Sequence, residues 1–188
     1  MLADADDLAR LVEFASEGLS LYLWTLLAGP GRDPWDVGRE RVSSETLGVS
    51  YRHALIAEQT GTTIGMLIGY PLGEQSQHDD ALHALLVPLH ELMILAPKTW
   101  YVHVLAAYPE HRGGGIGTAL LAQADKLAAG AGASGLSLIV SDTNTGASRL
   151  YERNGFREVA RRKMVKQRWR HPGTDWVLMI KTSTRQQP

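Results

Sequence analysis

The chain has 188 residues and a mass of 20.6 kDa, enough for one domain with a buried core. Its net charge of −1 and pI of about 6.7 speak against a nucleic-acid partner, since such binders are strongly basic. The absence of cysteine excludes disulfides, thiolate metal sites and a cysteine nucleophile. An N-terminus without a basic flank, and no apolar run of the ~18 residues a membrane span needs, predict a cytoplasmic protein with no membrane partner.

Leu8, Leu11, Val12, Ala15 and Leu19 recur at helical spacing and predict a helix over 4–24. "AGPGRDP" interrupts it, and Asp33-Pro34 starts a helix over 35–46. "HALIAEQTGTTIGMLIGY" reads as a hairpin turning at Thr60-Gly61, followed by the polar loop "GEQSQHDD". Leu82, Leu85, Leu86, Leu89, Leu92 and Met93 share a helical face, which Pro88 kinks or splits. "TWYVHVLAAY" is a strand bounded by Pro97 and Pro109. Ile116, Leu120, Ala124, Leu127 and Ala128 mark a helix that starts within a glycine run and ends near Gly130 or Gly132.

"GLSLIVS" is a short apolar strand of the buried type. Asn144 or Thr145 caps the next helix, which Asn154-Gly155 ends in a left-handed conformation. Strands over 156–165 and 176–182 follow, joined by "RHPGTD", and the tail 183–188 is frayed. The acidic start and the basic stretch from Arg153 to Arg170 read as solvated faces, or the basic end helps to hold an anionic ligand. The mixture of strands and helices gives a single α/β or α+β domain.

"YPEHRGGGIGTALL" is the stretch that carries chemistry. It lacks the Gly-Lys-Ser/Thr ending of a P-loop, and it fails the last position of the dinucleotide fingerprint G-x-G-x-x-G. It does meet Arg-x-x-Gly-x-Gly, from Arg112 to Gly117, between a strand and a helix. Successive backbone N–H groups near a helix N-terminus, with no side chains in the way, form a cradle for a pyrophosphate. A glycine-rich turn that serves only helix–strand packing is the alternative.

Together with "SLIVSDTNTGASRLYERNGFREV" downstream, this stretch resembles the GCN5-related N-acetyltransferase (GNAT) superfamily, strongly over 100–165 and loosely elsewhere. The resemblance implies a mixed, mostly antiparallel twisted sheet flanked by helices, with the usual first strand missing or reduced. It implies one N-acetyltransferase domain over 1–188, with a core at 51–182, a helical insert at 73–97 and the tail at 183–188. Acetyl-CoA would be the acyl donor. Its pyrophosphate would lie on Gly113, Gly115 and Gly117, with Arg112, Gly114, Ile116 and Thr118. The backbone of Leu105, Ala106 and Ala107 would pair with pantetheine, Asn144 would contact the cofactor arm, and Tyr151 would protonate the departing thiolate. A phenol with a pKa of about 10 suits that last step, and a plain helix cap is an equal reading of Asn144.

Acetyl transfer to an amine also needs a base. "YVHVLAA" is similar to the His-Leu-His-Val-Leu-Ala-Val strand of the arylalkylamine acetyltransferases: His103 falls on the second histidine and Tyr101 replaces the first. Strand alternation puts Tyr101, His103 and Leu105 on one face. Histidine titrates in the useful range, and Glu91 is a weaker candidate. A main-chain N–H near Leu105 would receive the negative charge that develops on the thioester oxygen. His83, His90 and Glu91 show no third ligand at a motif spacing, so no metal site is expected. Tyr22, Trp24 and Trp35 line an acceptor pocket or fill the core, and the insert walls the acceptor site or forms a homodimer contact.

The resulting expectation is direct, ternary-complex acetyl transfer to a primary amine, of a small molecule before a protein N-terminus or lysine. The rival of another class is a non-catalytic acyl-CoA-binding module.

Overall fold

The helical spacing from Asp4 to Trp24 holds two helices rather than one in the computed structural model of the chain, which describes residues 4–74 and 82–183. Helix α1 (Ala5–Ser16) ends at Glu17 and Gly18, whose φ angles of 52° and 91° are left-handed, and α2 (Leu19–Ala28) starts at once. Side chains of the first helix cap the second. Glu13 Oε2 accepts from the Leu21 amide at 2.9 Å, and Ser16 Oγ accepts from the Ser20 amide at 3.1 Å. These acceptors satisfy donors that a helix start leaves open, so the chain turns a corner without losing its apolar spacing. Helix α3 (Pro34–Ser43) starts as its sequence predicts, with Asp33 Oδ1 accepting from the Trp35 amide at 3.0 Å.

Strands β1 (Ala54–Gln59) and β2 (Thr62–Pro71) form the expected antiparallel hairpin. Thr60 and Gly61 have φ of 50° and 79°, positive at both positions as a two-residue type I′ turn requires. Ala57 faces Gly65 while Glu58 faces Thr63, so Ile64 bulges from the ladder. Its carbonyl accepts from the Tyr108 amide at 3.1 Å.

Most of the polar loop after the hairpin (75–81) lies outside the described residues, as do 1–3 and the tail 184–188. Pro88 splits the next apolar segment into a 3₁₀ turn over Ala84–Leu86 and α4 (Val87–Ile94), where it sits in the first helical turn and needs no N–H. Then come β3 (Trp100–Ala107), α5 (Ile116–Gly130), β4 (Gly135–Ser141), α6 (Thr145–Arg153), β5 (Arg157–Lys163) and β6 (Asp175–Thr182). Asn144 rather than Thr145 caps α6, its Oδ1 accepting from the Ala147 amide at 3.1 Å. At the other end only Gly155 is left-handed (φ 91°), while Asn154 stays at −94°.

The sheet has the strand order β1-β2-β3-β4-β6-β5. β3 and β4 run parallel, as the crossover through α5 demands, whereas β1/β2, β4/β6 and β5/β6 are antiparallel. This is the expected mixed, mostly antiparallel sheet flanked by helices, and no strand precedes α1 among the described residues. No helix among them is long and apolar enough to cross a membrane.

Contacts group the chain into two compact units. In the first (1–69, 103–120 and 169–171), Leu8, Leu11, Val12, Trp24 and Val42 bury against Met66, Ile68 and Val104. Trp24 belongs to this core, edge-on to Trp35 at 5.7 Å, and a Cβ on Gly38 would lie 2.6 Å from its ring. In the second unit (70–102, 121–168 and 172–188), α4 lies over β4, β5 and β6, and Leu92, Leu138, Phe156 and Leu178 are buried. Two buried hydroxyls satisfy each other there. Thr99 Oγ1 donates to the Ala96 carbonyl at 2.7 Å, which leaves it to accept from Ser137 Oγ at 2.6 Å. Much of the basic stretch is spent locally: Arg161 pairs with Glu158, Arg162 with Glu91 and Lys163 with Asp175.

Candidate functional site

The glycine run begins after a 3₁₀ turn at Pro109–His111, closed by the Arg112 amide donating to the Pro109 carbonyl at 3.2 Å. The next amide to find a backbone acceptor is that of Ala119, which donates to the Gly115 carbonyl at 3.0 Å. The N–H groups of 113 to 118, six in a row, therefore have no acceptor among the described residues. Gly113 and Gly115 are left-handed, with φ of 81° and 83°. Such alternation turns successive amides toward one concave side.

A Cβ added at Gly113 or Gly115 would meet nothing within 4 Å. Glycine is required here for backbone conformation and not for close packing. The glycine that packing requires is Gly65 on β2, where a Cβ would lie 2.9 Å from the Ala106 carbonyl oxygen and 3.1 Å from Ile116 Cγ2. Six exposed or half-exposed amides at the start of a fifteen-residue helix fit a diphosphate.

Arg112 is placed differently from a direct phosphate ligand. Its Nε donates to the Ala107 carbonyl at 3.1 Å, and its guanidinium lies 6.0 Å from the Phe14 ring centre. It ties the loop to the strand end and keeps its charge beside the cradle. On that strand, β3 pairs with β4 only at Trp100↔Leu136 and Tyr101↔Ser137. Leu105, Ala106 and Ala107, at the end of that strand, are half-buried, and an extended ligand can pair with the backbone of a strand edge.

His103 is exposed to solvent. Burial pushes its pKa down to about 4, opposed by a hydrogen bond with the Gly48 backbone and assisted by the charges of His53 and Arg41. Water at its open face moderates the burial effect, but the direction is downward, so the ring is neutral at neutral pH and able to accept a proton. Arg41 and His53 carry no motif, and sequence reasoning passed over both.

Tyr151, in the second unit, is buried on α6 with its ring 5.7 Å from that of Phe156. Tyr101 lies near enough to feel it, and Tyr70 packs against Tyr101 at 5.8 Å. Burial pushes the Tyr70 phenol up to about 12 and raises Tyr101 further, so both stay protonated. Tyr70 sits at the end of a strand, and nothing local in sequence joins it to Tyr151.

Asn144 has its Oδ1 engaged as the α6 cap. Glu91 is held by Arg162 Nε at 2.8 Å, which makes it an unpromising base. His83 Nδ1 accepts from the Leu85 amide at 3.3 Å, and among the described residues no group of three His, Cys, Asp or Glu is placed to hold a metal.

The family described as the Acetyltransferase (GNAT) family matches residues 20–156. No curated protein matches the chain. Among solved structures, an N-acetyltransferase from Staphylococcus aureus Mu50 has 22% identity and a TM-score of 0.65, with 94% of each chain covered. A ribosomal-protein-alanine N-acetyltransferase from Brucella melitensis has 23% identity and a TM-score of 0.56, covering 96% of this chain and 95% of its own. A GNAT family acetyltransferase from Elizabethkingia anophelis, with acetyl-CoA bound, has 20% identity and a TM-score of 0.55, over 86% of this chain and 90% of its own. At these identities the likeness is one of fold.

Proposed function

Since the chain belongs to the acetyltransferase (GNAT) family, we propose that this acetyl-CoA-dependent N-acetyltransferase acetylates the primary amine of a small molecule, by direct transfer within a ternary complex. The observation that carries the reading is the row of six amides at 113–118, which have no backbone acceptor among the described residues, with left-handed Gly113 and Gly115 within it. Acetyl-CoA supplies the activated acetyl group. Gly113, Gly114, Gly115, Ile116, Gly117 and Thr118 hold its pyrophosphate, and the backbone of Leu105, Ala106 and Ala107 aligns its pantetheine arm.

His103 takes the proton that the amine loses as its nitrogen attacks the acetyl carbon, and Tyr151 gives a proton to the thiolate as the C–S bond breaks. An N–H near Leu105 receives the charge that grows on the acetyl oxygen. With no cysteine in the chain, no cysteine acyl-enzyme competes with direct transfer.

Acetyl-CoA should raise the melting temperature, and Gly115→Glu should abolish the rise by filling the cradle. Release of CoA thiol, followed with a thiol dye across a panel of amines and peptides, then identifies the acceptor against a background free of protein thiols. Turnover confined to peptides refutes the small-molecule acceptor. A melting shift with no release on either panel leaves a binding module.

A further inference from the structure

The amides from Gly113 to Thr118 have no backbone acceptor among the described residues, so no backbone bond of their own fixes the shape of the run. That shape is set from its flanks. On the far side Ile116 lies against Gly65 of β2. On the near side stands Tyr108, between β3 and the 3₁₀ turn at Pro109–His111. Its amide donates to the Ile64 carbonyl at 3.1 Å, and its own carbonyl accepts from the His111 amide at 3.0 Å.

The Tyr108 ring packs on the apolar core of the first unit, a contact that needs no hydroxyl. The hydroxyl has a separate use: it donates to Asp7 Oδ1, half-buried in the first turn of α1. Burial raises the Tyr108 phenol, so the oxygen keeps the proton it donates. Phe14 stands two helical turns further along the same stripe of α1, with buried Leu11 between them. Its ring meets Tyr108 edge-on at 5.8 Å and lies 6.0 Å from the Arg112 guanidinium, whose Nε donates to the Ala107 carbonyl at 3.1 Å. One stripe of α1 therefore touches both residues that bracket the turn before the glycines. A loop that must present six amides to one diphosphate binds it more tightly when held in that shape beforehand, because less freedom is lost on binding.

We infer that the bond between Asp7 and the Tyr108 hydroxyl positions the glycine cradle for acetyl-CoA. Asp7 is thus a positioning residue of the donor site that acts through Tyr108, and α1 belongs to that site without touching the cofactor. This rests on the acetyl-transfer reading and adds to it.

The test titrates acetyl-CoA by calorimetry into the wild type, Tyr108→Phe, Asp7→Ala, the double variant and Asp7→Asn, and melts each without ligand. Tyr108→Phe keeps the packed ring and leaves α1 unaltered. It and Asp7→Ala should each raise Kd for acetyl-CoA by about 10-fold, the scale of one charge-assisted hydrogen bond. The double variant should bind no more weakly than either, because both changes break the same bond. Asp7→Asn loses the acid that favours a helix start, so it melts lower, yet it keeps an acceptor oxygen and should recover most of the affinity.

Wild-type affinity in Tyr108→Phe overturns the inference, whatever its melting temperature. So do losses that add in the double variant, or an Asp7→Asn that binds as weakly as Asp7→Ala. Each of these leaves the acetyl-transfer reading standing. Absence of acetyl-CoA binding by the wild type overturns that reading, and the inference with it.

Discussion

Replacing Gly65 by alanine puts a methyl group where the first unit has no room for it. The new Cβ would stand 2.9 Å from the Ala106 carbonyl oxygen, 3.1 Å from Ile116 Cγ2 and 3.4 Å from Ala107 Cα. Two of these atoms are backbone and cannot swing aside, so β3 or the first residue of α5 must shift. Overpacking of this kind costs about 1–3 kcal/mol. For a chain of this size each kcal/mol lowers the melting temperature by ~2–4 °C, giving a fall of roughly 2–12 °C.

The same shift moves Ala106 and Ile116, which belong to the proposed donor site, so KM for acetyl-CoA should rise by about 10-fold. Gly61→Ala is the control. Its φ of 79° also disfavours alanine, but a Cβ there meets nothing within 4 Å. It should lose about 1–2 kcal/mol through backbone strain alone and keep the acetyl-CoA response. The pair is read by thermal melts with and without acetyl-CoA. If Gly65→Ala melts lower yet keeps the full acetyl-CoA shift, the close approach is mere packing and does not shape the cradle. If its melting temperature is also unchanged, the approach itself is refuted.

Tyr151→Phe keeps the ring that packs on Phe156, so it should fold and bind acetyl-CoA normally while kcat falls by about 100-fold; a variant as active as wild type refutes the proton-donor role. The His103 pKa, pushed from 6.5 to about 4, extends its neutral form to lower pH. The limb of the kcat profile that His103→Gln abolishes should therefore lie well below pH 6.5, and a limb at or above that pH would contradict the assignment. The same sign makes folding stability fall as pH drops below 6.5, because the unfolded chain takes up that proton more readily. Glu13→Ala removes the acceptor for the Leu21 amide and should cost about 0.5–2 kcal/mol in thermal or denaturant melts. Glu13→Gln, which keeps an acceptor oxygen, should recover most of it.

Local chemistry made much of this chain legible. The hairpin at Thr60-Gly61, the split at Pro88, the Asn144 cap and the left-handed Gly155 each follow from a conformational preference of one or two residues. The glycine run is legible for the same reason, since a row of amides without side chains is a property of consecutive positions. What the sequence by itself determined was thus most of the strands and helices and the left-handed glycines of the 113–117 run.

The tertiary structure decided whatever depends on residues distant in the chain. The corner at Glu17-Gly18 is stabilised by Glu13 and Ser16 reaching across it, and an apolar period carries no mark of such caps. Gly65 looks like any strand glycine until Ala106 and Ile116 are set against it. Tyr70 and Tyr101 meet only through strand register, and Arg161, Arg162 and Lys163 of the basic stretch that invited an anionic ligand are paired with Glu158, Glu91 and Asp175. A side chain's role follows from which groups fold around it and how much water they exclude, and those are properties of the folded chain.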